Sequence, residues 1–137
     1  MDPENNKLKR RTVRKDKEEY HILCDVCGKT AMVFKMGPFL GKRGFVYSGI
    51  THETAFPAEN LPKVFELLGK NDIKGLHAFL HKDLDVYEGL DAYCPECDKV
   101  YCADHMKMEV VMDEDDPAFY DCTYGTCPKG HRRMIDD

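Results

Sequence analysis

Cysteine and histidine residues at short intervals are the part of this sequence that can do chemistry. The chain has 7 cysteines and 6 histidines among 137 residues. Two sulfur atoms on either side of a two-residue turn can both reach one ion at about 2.3 Å, and structural zinc takes four such ligands in a tetrahedron. The residues with this kind of spacing are Cys24, Cys27, Cys94, Cys97, Cys102, His105, Cys122, Cys127 and His131. They suffice for two zinc ions with one residue to spare, so we predict two zinc sites.

Most residues in this set are cysteines, and their number bears on whether the zinc sites are catalytic or structural. A catalytic zinc ion keeps one coordination position open for water, whereas a structural ion is closed by four protein ligands. With enough candidates to close both sites, we expect structural zinc. His77 and His81 stand four residues apart, as in a metalloprotease helix, but the glutamate that must follow the first histidine is absent. The sequence offers no other catalytic constellation, and we predict a non-enzymatic protein.

The number of cysteines and the composition of residues 1–19 indicate the cellular compartment in which the protein is expected. An odd number of cysteines cannot all pair within the chain, and the charged residues 1–19 contain no apolar signal-peptide core. Disulfides rarely persist in reducing compartments. We therefore expect zinc rather than disulfides, and a cytoplasmic location. The apolar runs are far shorter than the about 20 residues that a membrane helix needs, so we expect no membrane span.

The formal net charge of −5 bears on the partners. An acidic protein is a poor general binder of nucleic acid, which requires a strongly basic surface. Residues 1–19 differ from the rest, with seven basic and five acidic side chains. We predict that these residues form a disordered, charged arm. Binding of nucleic acid through the arm is an alternative that the net charge disfavours, and we expect a protein partner.

Hydrophobic patterning predicts an α+β fold, a small zinc-stabilised domain over residues 20–137. Its framework consists of zinc knuckles and short antiparallel strands. Extended apolar patterns at 20–23 and 30–34 flank the first cysteine pair. Two further extended stretches, at 109–112 and 118–120, flank a run of four acidic residues and predict a hairpin.

Residues 36–93 contain none of the nine candidates and are interpreted as an insertion in this domain. Glycines and a proline at 37–44 predict a loop, and the apolar residues at 45–50 predict one strand. Apolar residues at helical spacing predict a helix ending near position 69 and a second one capped by Asn71 or Asp72. Two such helices, joined by a tight turn, form an αα-hairpin.

The segment from Cys94 to His105 resembles a known class of zinc module. Its Cys-x2-Cys-x4-Cys-x2-His spacing, with the aromatic Tyr101 before the third cysteine, is similar to the core of AN1-type and B-box zinc fingers. The order of the ligand pairs is also similar to that of RING domains. These are cross-braced treble-clef modules, so the resemblance implies that alternate pairs along the chain share one ion.

The resemblance implies two ligand sets: Cys24, Cys27, Cys102 and His105 for one zinc ion, and Cys94 and Cys97 with two of Cys122, Cys127 and His131 for the other. We favour Cys127 and His131 for the last pair, because Gly130 between them can supply the turn of a knuckle. Cys122 is then a spare thiol or an alternative ligand. A sequential arrangement, in which the first two pairs share one ion, stays open because spacing alone does not choose.

The leading functional prediction is a zinc-binding interaction or adaptor protein. It follows from two closed, structural zinc sites, the missing catalytic constellation and the acidic balance. The resemblance to RING domains implies an alternative, a ubiquitin-ligase-type factor in which zinc only shapes a docking surface. Zinc-dependent nucleic-acid binding is a second alternative. A hydrolase is a third, and it would require that one of the two sites has only three protein ligands.

Overall fold

Residues 12–137 are described by a computed structural model of the protein. They form a mixed α and β structure of mostly antiparallel strands with two α-helices. The strands make up three separate sheets, of five, three and two strands. No helix in this part of the chain is long and apolar enough to cross a membrane.

The five-stranded sheet contains the first five strands in chain order, each antiparallel to the next. These strands are β1 (Val13–Asp16), β2 (Glu19–Leu23), β3 (Thr30–Phe39), β4 (Lys42–Ser48) and β5 (Glu53–Pro57). Two α-helices follow the sheet: α1 (Leu61–Gly69) and α2 (Ile73–Lys82).

The two smaller sheets lie in the C-terminal part. The two-stranded hairpin consists of β6 (Tyr93–Cys94) and β7 (Lys99–Val100). The three-stranded sheet consists of β8 (Lys107–Met112), β9 (Tyr120–Thr126) and β10 (Arg132–Asp136). Its order is β10-β9-β8, so β9 is central. The predicted hairpin around the acidic run is present as β8 and β9.

Both predicted helices are present, and local chemistry explains where they begin. Pro62 lies in the first turn of α1, where a missing N–H costs nothing. The Asp72 carboxylate accepts a hydrogen bond from the Gly75 N–H at 2.9 Å and caps α2. The apolar stripes of the two helices are buried: Leu61, Val64, Leu67 and Leu68 on α1, and Ile73, Leu76 and Leu80 on α2.

These helices share one hydrophobic core with an aromatic face of the five-stranded sheet. Phe34 lies opposite Tyr47, and Phe45 lies opposite Phe56. The ring centroids within each of these two pairs are 5.0 Å apart. Cross-strand aromatic pairs of this kind stabilise a sheet beyond the burial of their area.

The predicted insertion at 36–93 is not separate from the strands that precede it. β3 runs through the predicted loop and pairs with β4 up to Phe39↔Lys42. Leu40 and Gly41 have positive φ of 50° and 77°, as in the two-residue turns that match strand twist. The glycines that predicted a loop therefore belong to a hairpin, and β5 was not predicted. At Gly44, a Cβ atom would lie 2.2 Å from the Phe56 carbonyl oxygen, so glycine permits this strand spacing.

The predicted disordered arm at 1–19 is wrong where the structure describes it. Residues 1–11 lie outside the described residues, but β1 is formed and paired with β2. Val13 is buried, and the N–H groups of Thr12 and Val13 donate to the Asn71 side-chain oxygen at 2.9 Å. One buried residue and backbone pairing are enough to order a strand whose other side chains are charged.

A buried carboxylate holds the loop after β4 to the segment that leads into β6. Asp91 is fully buried and accepts hydrogen bonds from the Tyr47 hydroxyl at 2.8 Å and the Thr51 hydroxyl at 2.6 Å. The N–H groups of Ile50 and Thr51 also donate to it, at 3.1 and 2.9 Å. A charge so far from water is tolerated because donors surround it.

We expect Asp91→Ala to lower the free energy of unfolding by about 3 kcal/mol, because it leaves buried donors without an acceptor. Urea denaturation of both proteins measures the difference. Asp115→Ala removes an exposed carboxylate and should change stability by less than about 0.5 kcal/mol. A loss below about 1 kcal/mol for Asp91→Ala would contradict the role assigned to this carboxylate.

Candidate metal centres

Eight of the nine candidate ligands converge in two groups of three cysteines and one histidine. Within each group the potential ligand atoms all lie within 4.8 Å of one another. The first Cys/His site contains Cys24, Cys27, Cys102 and His105, and the second Cys/His site contains Cys94, Cys97, Cys127 and His131. The structure thus places the pairs in the crossed grouping that the resemblance implied, and not in the sequential one.

The first Cys/His site lies between two turns. Cys24 and Cys27 occupy the turn that joins β2 to β3, and Cys102 and His105 follow β7. The Cys27 and Cys102 sulfurs are 3.7 Å apart. His105 points its Nδ1 at the sulfurs of Cys24 and Cys102, at 3.6 and 3.3 Å. Between the two turns, the Asp25 N–H donates to the Val100 carbonyl at 2.7 Å.

The second Cys/His site has the same plan. Cys94 and Cys97 lie at the turn between β6 and β7, and Cys127 and His131 lie at the turn between β9 and β10. The Cys97 and Cys127 sulfurs are 3.7 Å apart. Here too the histidine Nδ1 faces the sulfurs, at 3.5 Å from Cys94 and 3.3 Å from both Cys97 and Cys127. The Glu96 carboxylate lies 3.9 Å from Nε2 of His131, where it can orient the ring.

These separations can be compared with the dimensions of a tetrahedral zinc ion. Zinc–sulfur bonds of about 2.3 Å and zinc–nitrogen bonds of about 2.05 Å place two sulfurs about 3.8 Å apart and a sulfur about 3.6 Å from a nitrogen. The sulfur–sulfur distances of 3.7 Å agree with this geometry, and the sulfur–nitrogen distances of 3.3 to 3.6 Å are slightly short of it. None of the seven cysteines is in a disulfide.

Backbone N–H groups point at the sulfurs, as thiolate ligands require. The N–H groups of Val26, Cys97 and His131 each donate to a ligand sulfur at 3.4 Å. Burial raises the pKa of the Cys24 thiol, but backbone hydrogen bonds outweigh it and bring the pKa down to about 7. Burial raises the pKa of Cys94 to about 11, so a metal that binds there must displace a proton.

The remaining candidate, Cys122, lies away from both sites. It is on β9 beside Thr123, and side chains alternate between the two faces of a strand. A Cβ atom on Gly125, which shares a face with Thr123, would meet Ile135 and Met106. These two residues belong to a small buried cluster, the C-terminal core, with Cys94, Tyr101 and Cys127. Cys122 therefore points to the opposite face of the sheet and is the spare thiol.

Histidines outside the two sites have other roles. His77 accepts a hydrogen bond from the Leu90 N–H at 3.0 Å, and burial lowers its pKa to about 4. His81 Nδ1 bonds to the Tyr87 carbonyl at 2.7 Å. Although the two stand four residues apart on α2, each ring has its own backbone partner.

Arg133 supports the second site, and sequence reasoning missed this role. Its guanidinium donates to the carbonyls of Tyr93 at 3.2 Å and Glu88 at 2.9 Å, and also to that of Leu90. It thereby joins β10 to the segment that enters β6. The neighbouring Arg132 is half exposed and pairs with Glu109 at 3.0 Å. Nothing in the sequence distinguishes the two arginines.

Titration of the metal-free protein with Co²⁺ is expected to saturate at two ions per chain, one for each group of four ligands. The spectrum should show thiolate charge transfer and tetrahedral ligand-field bands, because each site offers three sulfurs and one nitrogen. Cys27→Ser should reduce the stoichiometry to one ion, and Cys122→Ser should leave it unchanged. Loss of an ion in Cys122→Ser would contradict the two ligand sets.

Comparison with known proteins assigns the chain to one family. No curated protein and no solved structure matches the chain. No zinc-finger family is identified among the matches, and what the structure shows is two groups of Cys and His side chains that could hold metal ions. Residues 13–137 match the family described as "Domain of unknown function (DUF8328)", and the chain belongs to this family.

Proposed function

We propose that this protein is a non-enzymatic zinc protein whose two ions are structural, and that it serves as an interaction or adaptor module in the cytoplasm. One observation carries the proposal: each site converges four protein ligand atoms within 4.8 Å. Four protein ligands complete a tetrahedron and leave no position for a reactive water. When bound, zinc supplies a rigid cross-link there.

The choice of zinc rests on the donor chemistry. Thiolates and imidazole are soft or borderline ligands that favour zinc, whereas magnesium and calcium prefer oxygen. Tetrahedral coordination by three sulfurs and one nitrogen is a common form of structural zinc site. The sulfur–sulfur distances of 3.7 Å match an ion of this size and geometry, and the sulfur–nitrogen distances of 3.3 to 3.6 Å are close to it.

The two hydrophobic cores differ in size, and this difference indicates which part of the chain depends most on zinc. The core of the five-stranded sheet and the helices includes the large buried side chains Phe34, Tyr47 and Leu68. The C-terminal core contains Tyr101, Met106 and Ile135, and its other buried members are ligand cysteines. A cluster this small supports little structure by itself, so the C-terminal sheet requires the ions.

We expect chelation of both ions to expose residues 93–137 to rapid amide hydrogen exchange, while β3 and β4 keep more of their protection. A structural zinc site contributes about 10–16 kcal/mol, as much as the whole stability of a typical domain. Hydrogen exchange with mass spectrometry on the full chain measures both regions. Zn²⁺ should restore protection and Mg²⁺ should not. Unchanged protection after complete metal removal would contradict a structural role.

The acidic surface supports the proposed interaction with a protein. Residues Asp113–Asp116 form an exposed turn between β8 and β9. The Asp113 carboxylate accepts hydrogen bonds from the N–H groups of Asp115 and Asp116, at 2.8 and 3.1 Å. The turn is therefore shaped by Asp113, and the carboxylates that follow are available to a basic partner.

Capture of a basic partner by the immobilised, zinc-loaded chain should be lost when the acidic turn is neutralised by Glu114→Gln, Asp115→Asn and Asp116→Asn. These changes keep the shapes of the side chains and leave Asp113 in place, so only charge is removed. A matched control neutralises Asp83, Asp85 and Glu88 instead. Equal capture by the two triple variants, or no capture by the wild type, would contradict recognition at this turn.

A further inference from the structure

Strand β8 is one of the two edge strands of the three-stranded sheet in the part of the chain that the structure describes. It pairs with β9 on one side, and the sheet order places β10 beyond β9. An edge strand presents backbone N–H and C=O groups that can pair with another strand. Six residues, Lys107–Met112, make up this edge.

Two apolar side chains of β8, Met108 and Val110, point toward the side of the sheet that carries the core, whereas Val111 lies on the other face with Cys122. Met108 lies opposite Gly125, and Val110 lies opposite the buried Thr123. Residues that are directly opposite share a face, and Gly125 faces the core residues Met106 and Ile135. Yet Met108 is 38% exposed and Val110 is 61% exposed. The core-side face of this sheet therefore extends beyond the core that covers it.

The edge strand itself is regular. The register changes between Val111↔Cys122 and Met112↔Tyr120, which leaves Asp121 of β9 without an opposite residue. The extra residue of this bulge belongs to β9, so alternation along β8 is uninterrupted. Met112, which is 41% exposed, thus continues the apolar row of Met108 and Val110.

The core-side face of this strand is complementary to itself when the strand is reversed. An antiparallel copy with Val110 opposite Val110 places Met108 opposite Met112 and Lys107 opposite Asp113. On the core-side face apolar residues then meet apolar residues, whereas on the other face Glu109 lies opposite Val111. Each end carries a pair of opposite charges. A uniformly basic foreign strand would meet Lys107 at one end, so charge favours a second copy of this chain.

We propose that two copies of this protein pair through β8 in antiparallel orientation, about a two-fold axis at Val110. The pairing turns two three-stranded sheets into one six-stranded sheet. A two-fold axis normal to the sheet keeps the equivalent faces of both copies on the same side. The row of Met108, Val110 and Met112 in one copy therefore joins the same row of the second copy in one apolar strip. The contact is short, below about 1,200 Å² in total, which is typical of weak and reversible association.

Sedimentation velocity of the zinc-loaded full chain, from about 1 to 500 µM, tests the proposal. We expect a reversible monomer–dimer equilibrium in the wild type. Val110→Lys places two like charges at the axis and should weaken the dimer about 30-fold or more. Leu40→Lys changes a residue that is 86% exposed in the β3–β4 turn and should leave the equilibrium unchanged.

A charge exchange tests the register. Lys107→Asp and Asp113→Lys should each weaken self-association about tenfold, because each homodimer then contains two like-charge pairs. Mixing the two variants should restore a heterodimer, in which every end pair has opposite charges. Restoration on mixing also shows that neither variant has lost its fold.

Two results would overturn the proposal. One is a wild-type chain that stays monomeric up to the highest concentration, whether β8 is then covered by another protein or by the chain's own residues 1–11. The other is a dimer that Val110→Lys and Leu40→Lys affect equally. Zinc content is measured on the same samples, so failure of the dimer is separate from failure of the structural zinc proposal.

Discussion

If the two sites hold structural zinc as proposed, the crossed grouping of ligand pairs is the constraint on which the C-terminal half of the structure depends. The short hairpin of β6 and β7 carries Cys94 and Cys97 at its turn, and Cys102 lies two residues after its end. The hairpin therefore contributes to both Cys/His sites. The other ligands of one site lie at the β2–β3 turn of the large sheet, and those of the other site lie at the β9–β10 turn of the small sheet. Two metal ions would hold three segments that bury few apolar residues between them.

Polar contacts align the same segments without any metal. Asp91 binds the loop after β4 through Ile50 and Thr51. Arg133 of β10 donates to carbonyls on either side of Asp91, at Leu90 and Tyr93. The carboxylate and the guanidinium thus fix the entry into the β6–β7 hairpin from two directions. Metal ligation on a segment already held in this way costs less conformational entropy.

The sequence predicted the candidate ligands more accurately than the strands that surround them. Cysteine spacing singled out the candidate ligands, because two-residue gaps reflect the local geometry of a turn. The turn at Gly130 favoured Cys127 over Cys122, and the structure places Cys122 on the far face of β9. Helices α1 and α2 were predicted because apolar stripes and caps are local signals. By contrast, β1 and the β3–β4 hairpin depend on pairing between strands, so charge and glycine content misled the prediction there.

The most direct test of the crossed grouping is NMR of the protein substituted with ¹¹³Cd, in which scalar coupling links each metal ion to the Hβ protons of its cysteine ligands. We expect one cadmium resonance to couple to Cys24, Cys27 and Cys102, and the other to Cys94, Cys97 and Cys127, as the two groups of ligand atoms require. Cys122 should couple to neither. Coupling of one ion to the first two cysteine pairs together would contradict the account.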